Sequence, residues 1–156
     1  MDCKIERTFD PVIVNEIMRH PKIYPHISDD FCPTREDFDS TQAVRSEANY
    51  FLLVEDGAGV FFLHPHSRVL YEVHTCLKPE CWGRVEIAKA GARWMFEHTN
   101  CEKIMTWVPV YNRIARRFAL KAGMVEEGYL DLSYMRNGSL QGMHLLGLSK
   151  CQQPSQ

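Results

Sequence analysis

The stretch Val73-His74-Thr75-Cys76-Leu77-Lys78-Pro79-Glu80-Cys81-Trp82-Gly83-Arg84-Val85 changes its period halfway along. Its first part continues a run, Val69–Leu77, rich in β-branched and apolar residues, as a strand requires. Pro79 and Gly83 then punctuate the chain, and an apolar pattern of helical spacing follows. The segment therefore reads as strand, short loop, helix. A helix start leaves first-turn N–H groups without intrahelical partners and carries positive potential, a combination suited to phosphate. Gly83 lets backbone approach a ligand closely, and Arg84 adds a cation. A lone glycine is a weak signal, so an ordinary strand-to-helix turn explains this loop equally well by itself.

Downstream, Glu86, Lys89, Arg93 and Glu97 fall on one stripe of a helix over residues 84–98, and Val85, Ile87, Ala88, Ala92, Trp94, Met95 and Phe96 cover the rest of its girth. Such a helix should pack on a sheet. Ile104–Val108 reads as a short buried strand. Asn112–Ala122 reads as a second helix with Ile114, Ala115, Phe118, Ala119 and Ala122 inward, ended by a left-handed Gly123. Glu126–Met135 and Leu140–Leu148 flank Asn137-Gly138, the strongest hairpin signal in the chain. Upstream, Tyr50–Val54 and Val60–His64 flank Asp56-Gly57, a second hairpin signal, and a turn over residues 65–68 leads into Val69–Leu77. Lys4–Phe9 is a first strand. Asp10 caps a helix that opens on Pro11 and runs to about His20. Residues 21–48, with Pro21, Pro25 and Pro33, read as irregular. The sum is an α+β fold: a central twisted, mostly antiparallel sheet of about seven strands flanked by helices.

The 156 residues, 45% apolar and 24% charged, predict one domain over residues 1–150 with a frayed tail at 151–156. A net charge of −2 argues against nucleic acid as a partner. No apolar run approaches the roughly 20 residues of a membrane helix. The start, Met1-Asp2-Cys3-Lys4, lacks the apolar core of a signal peptide, so a cytoplasmic location is expected. The six cysteines form no Cys-x-x-Cys pair and read as free thiols.

The stretch Pro109–Met124 then narrows the reading. Asn112, Ala115, Phe118, Gly123 and Met124 resemble the Asn-x-x-Ala/Ser-x-x-aromatic/Leu…Gly-Phe signature of the GCN5-related N-acetyltransferase (GNAT) superfamily. Tyr71 to Thr75, Pro79-Glu80 and Trp94 to Phe96 resemble its small phage- and prophage-encoded members. The resemblance covers residues from about Tyr50 to Leu148. It implies the acyl-CoA N-acyltransferase fold, acetyl-CoA as co-substrate, and an amine-bearing small molecule or protein as acceptor, acetylated by direct attack in a ternary complex. It further implies that acyl-CoA wedges beside Thr75, Cys76 and Leu77. The N–H groups of Trp82, Gly83, Arg84 and Val85 would hold the pyrophosphate, Asn112 the pantetheine, and Phe118 the channel wall. Arg84, Arg116 or Arg117 would meet the outer phosphate. The loop keeps only one glycine of the usual phosphate motif, with Val85 and Ile87 adding bulk, and Ala119 stands where many relatives carry a tyrosine acid.

Amine attack on a thioester needs a neutral amine, so a general base is sought. Glu72 is the first choice and His74 the second, sharing a face of the Val69–Leu77 strand; both also read as ordinary polar residues of a solvated face. The N–H groups near His74 to Cys76 would supply oxyanion donors. Tyr129, Tyr134 or water are the candidate acids. Cys76 and Cys81 read as structural thiols rather than nucleophiles. His64-Pro65-His66 with His74, Cys76 and Cys81 matches no zinc-finger, ribbon or His-Glu-x-x-His spacing, so no metal is expected. Asp29, Asp30, Glu36, Asp37 and Asp39 read as an acidic acceptor rim or a solvated loop. Trp82, Trp94 and Trp107 read as core or channel residues, any of which could sit at a homodimer contact. The competing function is a non-catalytic interaction module on the same fold, favoured by the altered loop and Ala119.

Overall fold

A computed structural model describes residues 3–152. Seven strands form one sheet: β1 (Ile5–Arg7), β2 (Tyr50–Val54), β3 (Gly59–Pro65), β4 (Leu70–Leu77), β5 (Lys103–Pro109), β6 (Val125–Arg136) and β7 (Ser139–Ser149). Their order is β1-β2-β3-β4-β5-β7-β6, and every neighbouring pair is antiparallel except β4 with β5. Both hairpin signals hold. Asp56 and Gly57 take φ of 58° and 67°, and Asn137 and Gly138 take 51° and 73°, the positive values that match a tight turn to strand twist. In β6 the register slips between Leu130 and Tyr134, where Leu132 takes φ of 47°.

Strand alternation divides the core in two. On one face Leu52, Val54, Phe61, Leu63 and Tyr71 pack against Ile87, Met95 and Phe96 of α4 (Arg84–His98). The helix approaches so closely that a Cβ on Gly91 would stand 3.1 Å from the Phe61 ring. On the other face Phe51, Val60 and Cys76 pack against Val14, Ile17 and Met18 of α1 (Pro11–Met18). The Asp10 carboxylate accepts from the Val12 N–H at 2.9 Å, capping α1 as its sequence requires. The last helix, α5 (Arg113–Lys121), packs its Ala119 against Val108 and Leu146.

Residues 21–48 differ from the expected irregular run. They include two short helices, α2 (Tyr24–Ile27) and α3 (Thr41–Arg45). Pro25 lies in the first turn of α2, where no N–H is needed, so it starts the helix rather than breaking it. Side-chain hydrogen bonds secure the rest. Asn15 Oδ1 accepts from the Ser40 N–H (2.8 Å) and hydroxyl (2.7 Å), and Asn15 Nδ2 donates to Asp39 Oδ1 at 3.0 Å. The Asp30 carboxylate accepts from the N–H groups of Asn137 (2.7 Å) and Gly138 (2.8 Å), anchoring the segment to the β6–β7 turn.

Asp39 gives the fold an acid-sensitive joint. Hydrogen bonds from the Thr41 hydroxyl and N–H and from Asn15 lower its carboxyl to about 2. A folded value below the unfolded one, about 3.9, contributes stability that is complete above pH ~4 and is lost as pH falls toward 2. Asp39→Asn should therefore flatten the acid limb of a melting-temperature profile between about pH 4 and 2 and leave the neutral region's slope unchanged.

The expected tail begins inside a 3₁₀ turn, Lys150–Gln152; residues 153–156 lie outside the described part. Among the described residues, no helix is long and apolar enough to cross a membrane.

Candidate active site

The parallel pair β4/β5 is short. It joins Leu70, Tyr71 and Glu72 to Lys103, Ile104 and Met105 and then stops. Beyond that point β4 pairs only with β3, and β5 continues with β7 as far as Pro109 opposite Met143. The strands part, and a cavity of about 750 Å³ opens between them. Val73, Thr75 and Leu77 line one wall, Thr106, Trp107 and Val108 the other, and α5 closes the side through Asn112, Ala115 and Phe118.

Which peptide groups face this gap follows from alternation. The Val69 carbonyl accepts from the N–H groups of Glu102 and Lys103 on the β5 side. The Leu70 carbonyl accepts from His66, and the Lys78 N–H donates to Ala58, both on the β3 side. Odd-numbered residues of β4 therefore turn their peptide groups toward β5, and beyond the paired region these are Val73, Thr75 and Leu77. Cys76, expected beside them, turns its peptide groups to β3. Its side chain is fully buried under α1, where burial pushes the thiol up to about 12. Cys81 is buried and also raised by burial. Neither is a ready nucleophile.

Gly83 is the residue before α4 and adopts φ of 68°, a conformation that costs a residue with a Cβ about 1–2 kcal/mol. No side chain caps the helix, so the amides of its first turn stay open. A second recess of about 550 Å³ lies against them, bordered by Trp82, Gly83, Val85, Arg117, Phe118 and Lys121. The bulk flagged in the sequence does not obstruct it: Ile87 faces the main core, and Val85 forms part of the wall. Arg84 serves the loop itself. Its guanidinium donates to the carbonyls of Cys81 (3.0 Å), Lys78 (2.9 Å) and Pro79 (2.9 Å). Arg116 pairs with Glu126. Of the three arginines considered for an outer phosphate, Arg117 borders the recess without an ion-pair partner among the described residues.

Asn112 caps α5, its Oδ1 accepting from the Ala115 N–H at 3.0 Å, and it borders the main cavity. Ile114, expected inward, is 82% exposed, because the helix begins over the gap rather than over packed sheet. Trp82 is 88% exposed beside the same recess, so neither core nor channel wall describes it.

Of the two candidate bases, His74 borders the cavity and Glu72 does not. Burial pushes the His74 imidazole below its usual range, opposed by the attraction of Glu72. The Glu72 carboxylate is 13% exposed and is held by His66 Nε2 at 2.7 Å, with His64 Nε2 at 3.3 Å. Sequence reading placed Glu72 and His74 on one face but missed the convergence of His64 and His66 upon them. Strand register was the available signal: counting outward from the β3–β4 turn pairs His64 with Glu72.

The candidate acids lie elsewhere. The Tyr134 hydroxyl donates to the Ser28 carbonyl at 2.7 Å, and burial raises it to about 12. Tyr129 is half exposed against His144. No tyrosine lines the cavity. The acidic segment does not line it either; Asp29, Asp30, Glu36, Asp37 and Asp39 bond to their own segment, to Asn15 of α1 or to the hairpin tip. Lys22 and His26 line the mouth on that side, which sequence reading left as part of an irregular run.

No protein-family model and no curated protein sequence matches the chain. Solved structures do. The spermidine N-acetyltransferase of Vibrio cholerae, in complex with CoA and spermine, is similar with a TM-score of 0.78 at 18% identity over 96% of each chain. A GNAT-family acetyltransferase from Bacillus anthracis is similar with 0.68 at 19% identity, over 96% of this chain and 98% of that one. Ribosomal-protein-S5-alanine acetyltransferase from Vibrio fischeri gives 0.72 at 15% identity, over 99% and 97%. The chain has the acyl-CoA N-acyltransferase fold of the GNAT enzymes. At these identities the likeness establishes the fold.

Proposed function

We propose that the protein transfers an acetyl group from acetyl-CoA to an amine held in the same cavity. The observation that carries this reading is the parting of β4 from β5 after Glu72 and Met105. A sheet interior leaves few peptide groups unpaired, so a gap edged by Thr75 and Leu77 suits a ligand that presents amides of its own, as the pantetheine arm does. The open amides before and within the first turn of α4 suit a pyrophosphate, with Arg117 and Lys121 beside them. Asn112 would donate to the arm, and Phe118 and Ala115 would wall it.

Acetyl-CoA supplies the thioester: a carbon–nitrogen bond forms, the carbon–sulfur bond breaks, and the amine's proton ends on the CoA sulfur. The residues of the chain do the rest. His74 stands at the cavity wall to take the amine proton, directly or through one water. The gap-facing N–H of Thr75 would donate to the developing oxyanion. Glu72 acts behind His74 as a positioning residue. With Ala119 where a tyrosine would stand, a water relays to the leaving sulfur the proton that His74 took from the amine.

The lining also limits the acceptor. Among the described residues no aspartate or glutamate borders the cavity, and its charged residues are Lys22 and Arg84 with the histidines 26 and 74. A polycation would meet like charge there and find no counter-charge. The acceptor we infer is a single amine on an apolar or anionic body, such as the α-amino group of an amino acid or peptide. Its pKa of about 7.7–8.0, against about 10.4 for a lysine amine, leaves less proton-removal work to an imidazole.

Acetyl-CoA at 100 times its dissociation constant should stabilise the protein by about 2.7 kcal/mol, measured as a thermal shift. Thiol release should then be faster with α-amines than with spermidine or lysine side-chain amines. No shift at millimolar acetyl-CoA would replace the transferase with the interaction-module reading; a preference for polyamines would overturn the acceptor class alone.

A further inference from the structure

On the sheet face opposite α4, the β3–β4 hairpin gathers three imidazoles around one carboxylate. His64 and Glu72 are cross-strand partners, so their side chains leave the sheet side by side. His66 follows two residues after His64 and folds its ring back over them. His74 sits one pair further along β4, opposite Phe62. We propose that His64, His66 and Glu72 form a binding site for one divalent transition-metal ion, zinc being the natural probe.

The distances support a shared centre. Glu72 Oε2 stands 2.7 Å from His66 Nε2 and 3.3 Å from His64 Nε2. The one-atom-per-residue set from these three lies within 4.8 Å. Zinc bonds of about 2.0–2.1 Å at tetrahedral angles put neighbouring ligand atoms about 3.3 Å apart. The His64 spacing matches that value and the His66 spacing is shorter by about 0.6 Å, so small rotations admit an ion. His74 Nε2, 3.4 Å from His64 Nε2 and 3.8 Å from Glu72 Oε1, stands beside this set of three without belonging to it, which leaves the fourth position to a water.

The rings are also held in place. His64 and His74 stack at 5.5 Å with an 11° interplanar angle, and both rest on Phe62, itself stacked on buried Phe51 at 4.4 Å. An aromatic shelf of this kind fixes ring orientation as a supporting shell does. No lysine or arginine pairs with Glu72 among the described residues, which leaves its charge for the imidazoles or for a cation. Two imidazoles and a carboxylate suit zinc and its neighbours rather than calcium or magnesium. This proposal departs from the expectation of no metal, which rested on local spacing alone.

The test is direct binding to the whole chain and does not depend on transferase activity. Zinc titrated by calorimetry against a competing chelator should bind at one equivalent. His66→Ala and Glu72→Gln, each checked for an unchanged circular dichroism spectrum, should weaken binding by about tenfold or more. Cobalt substituted for zinc should give visible bands without sulfur charge transfer. Less than half an equivalent, equal affinity in both variants, or sulfur bands showing capture by the exposed thiols of Cys32 and Cys151 would overturn the site. Should His66→Ala misfold, Glu72→Gln alone carries the comparison.

Discussion

Replacing His74 by alanine is expected to lower acetyl-transfer turnover by about 10²-fold or more, while the thermal shift given by acetyl-CoA stays at its wild-type size. The separation follows from position. His74 borders the main cavity and not the recess against the α4 amides, so its loss should remove proton abstraction without removing the contacts made in that recess. A variant that lost binding together with turnover would make His74 a wall residue. Glu72→Gln is the companion measurement. Glu72 does not border the cavity, and its substitution keeps the side chain's size, so its cost in kcat should be smaller. If Glu72→Gln cost more than His74→Ala, the base would be Glu72, acting through a water that reaches past the strand.

Phe51→Ala should cost about 3–5 kcal/mol of folding stability, a large share of the ~5–15 kcal/mol that holds a domain together. Phe51 is 1% exposed on β2 and packed under α1 with Val14 and Ile17, so its removal leaves a cavity in the core. For a chain of this length the melting temperature should fall on the order of 10 °C. The substitution should also reach the candidate site, because Phe51 backs Phe62, and Phe62 backs His64 and His74. Loosened rings would show as a drop in kcat at conditions where the variant is still folded. A stability loss under about 1 kcal/mol would mean that the stack is not part of the rigid core.

Much of this architecture was legible before any coordinates. Asp56-Gly57 and Asn137-Gly138 set two hairpins because positive φ is a local demand that few residue pairs meet. The charge stripe Glu86, Lys89, Arg93 and Glu97 marked α4, and its apolar girth foretold burial on a sheet. Asp10 with Pro11 marked the start of α1. Readings that depended on what a side chain would meet fared less evenly. Ile114 was expected inward by helical spacing, but the helix begins over a gap. Arg84 was expected to offer charge to a ligand, yet three loop carbonyls claim it. The acidic residues between 29 and 39 read as an acceptor rim or a solvated loop, and their carboxylates accept from backbone N–H groups, hydroxyls, the Asn15 amide and the Arg35 guanidinium. Each reversal concerns a partner distant in sequence or a choice among several nearby acceptors.

The sequence by itself determined the seven strands, the helices α1, α4 and α5, their order and the glycine before α4, because those depend on backbone preferences and periodicities spanning a few residues. Only the tertiary structure decided that β4 and β5 pair for three residues and then diverge, and that His64 and His66 meet Glu72. Both outcomes depend on register between strands, and register comes from packing across the whole sheet rather than from any one segment.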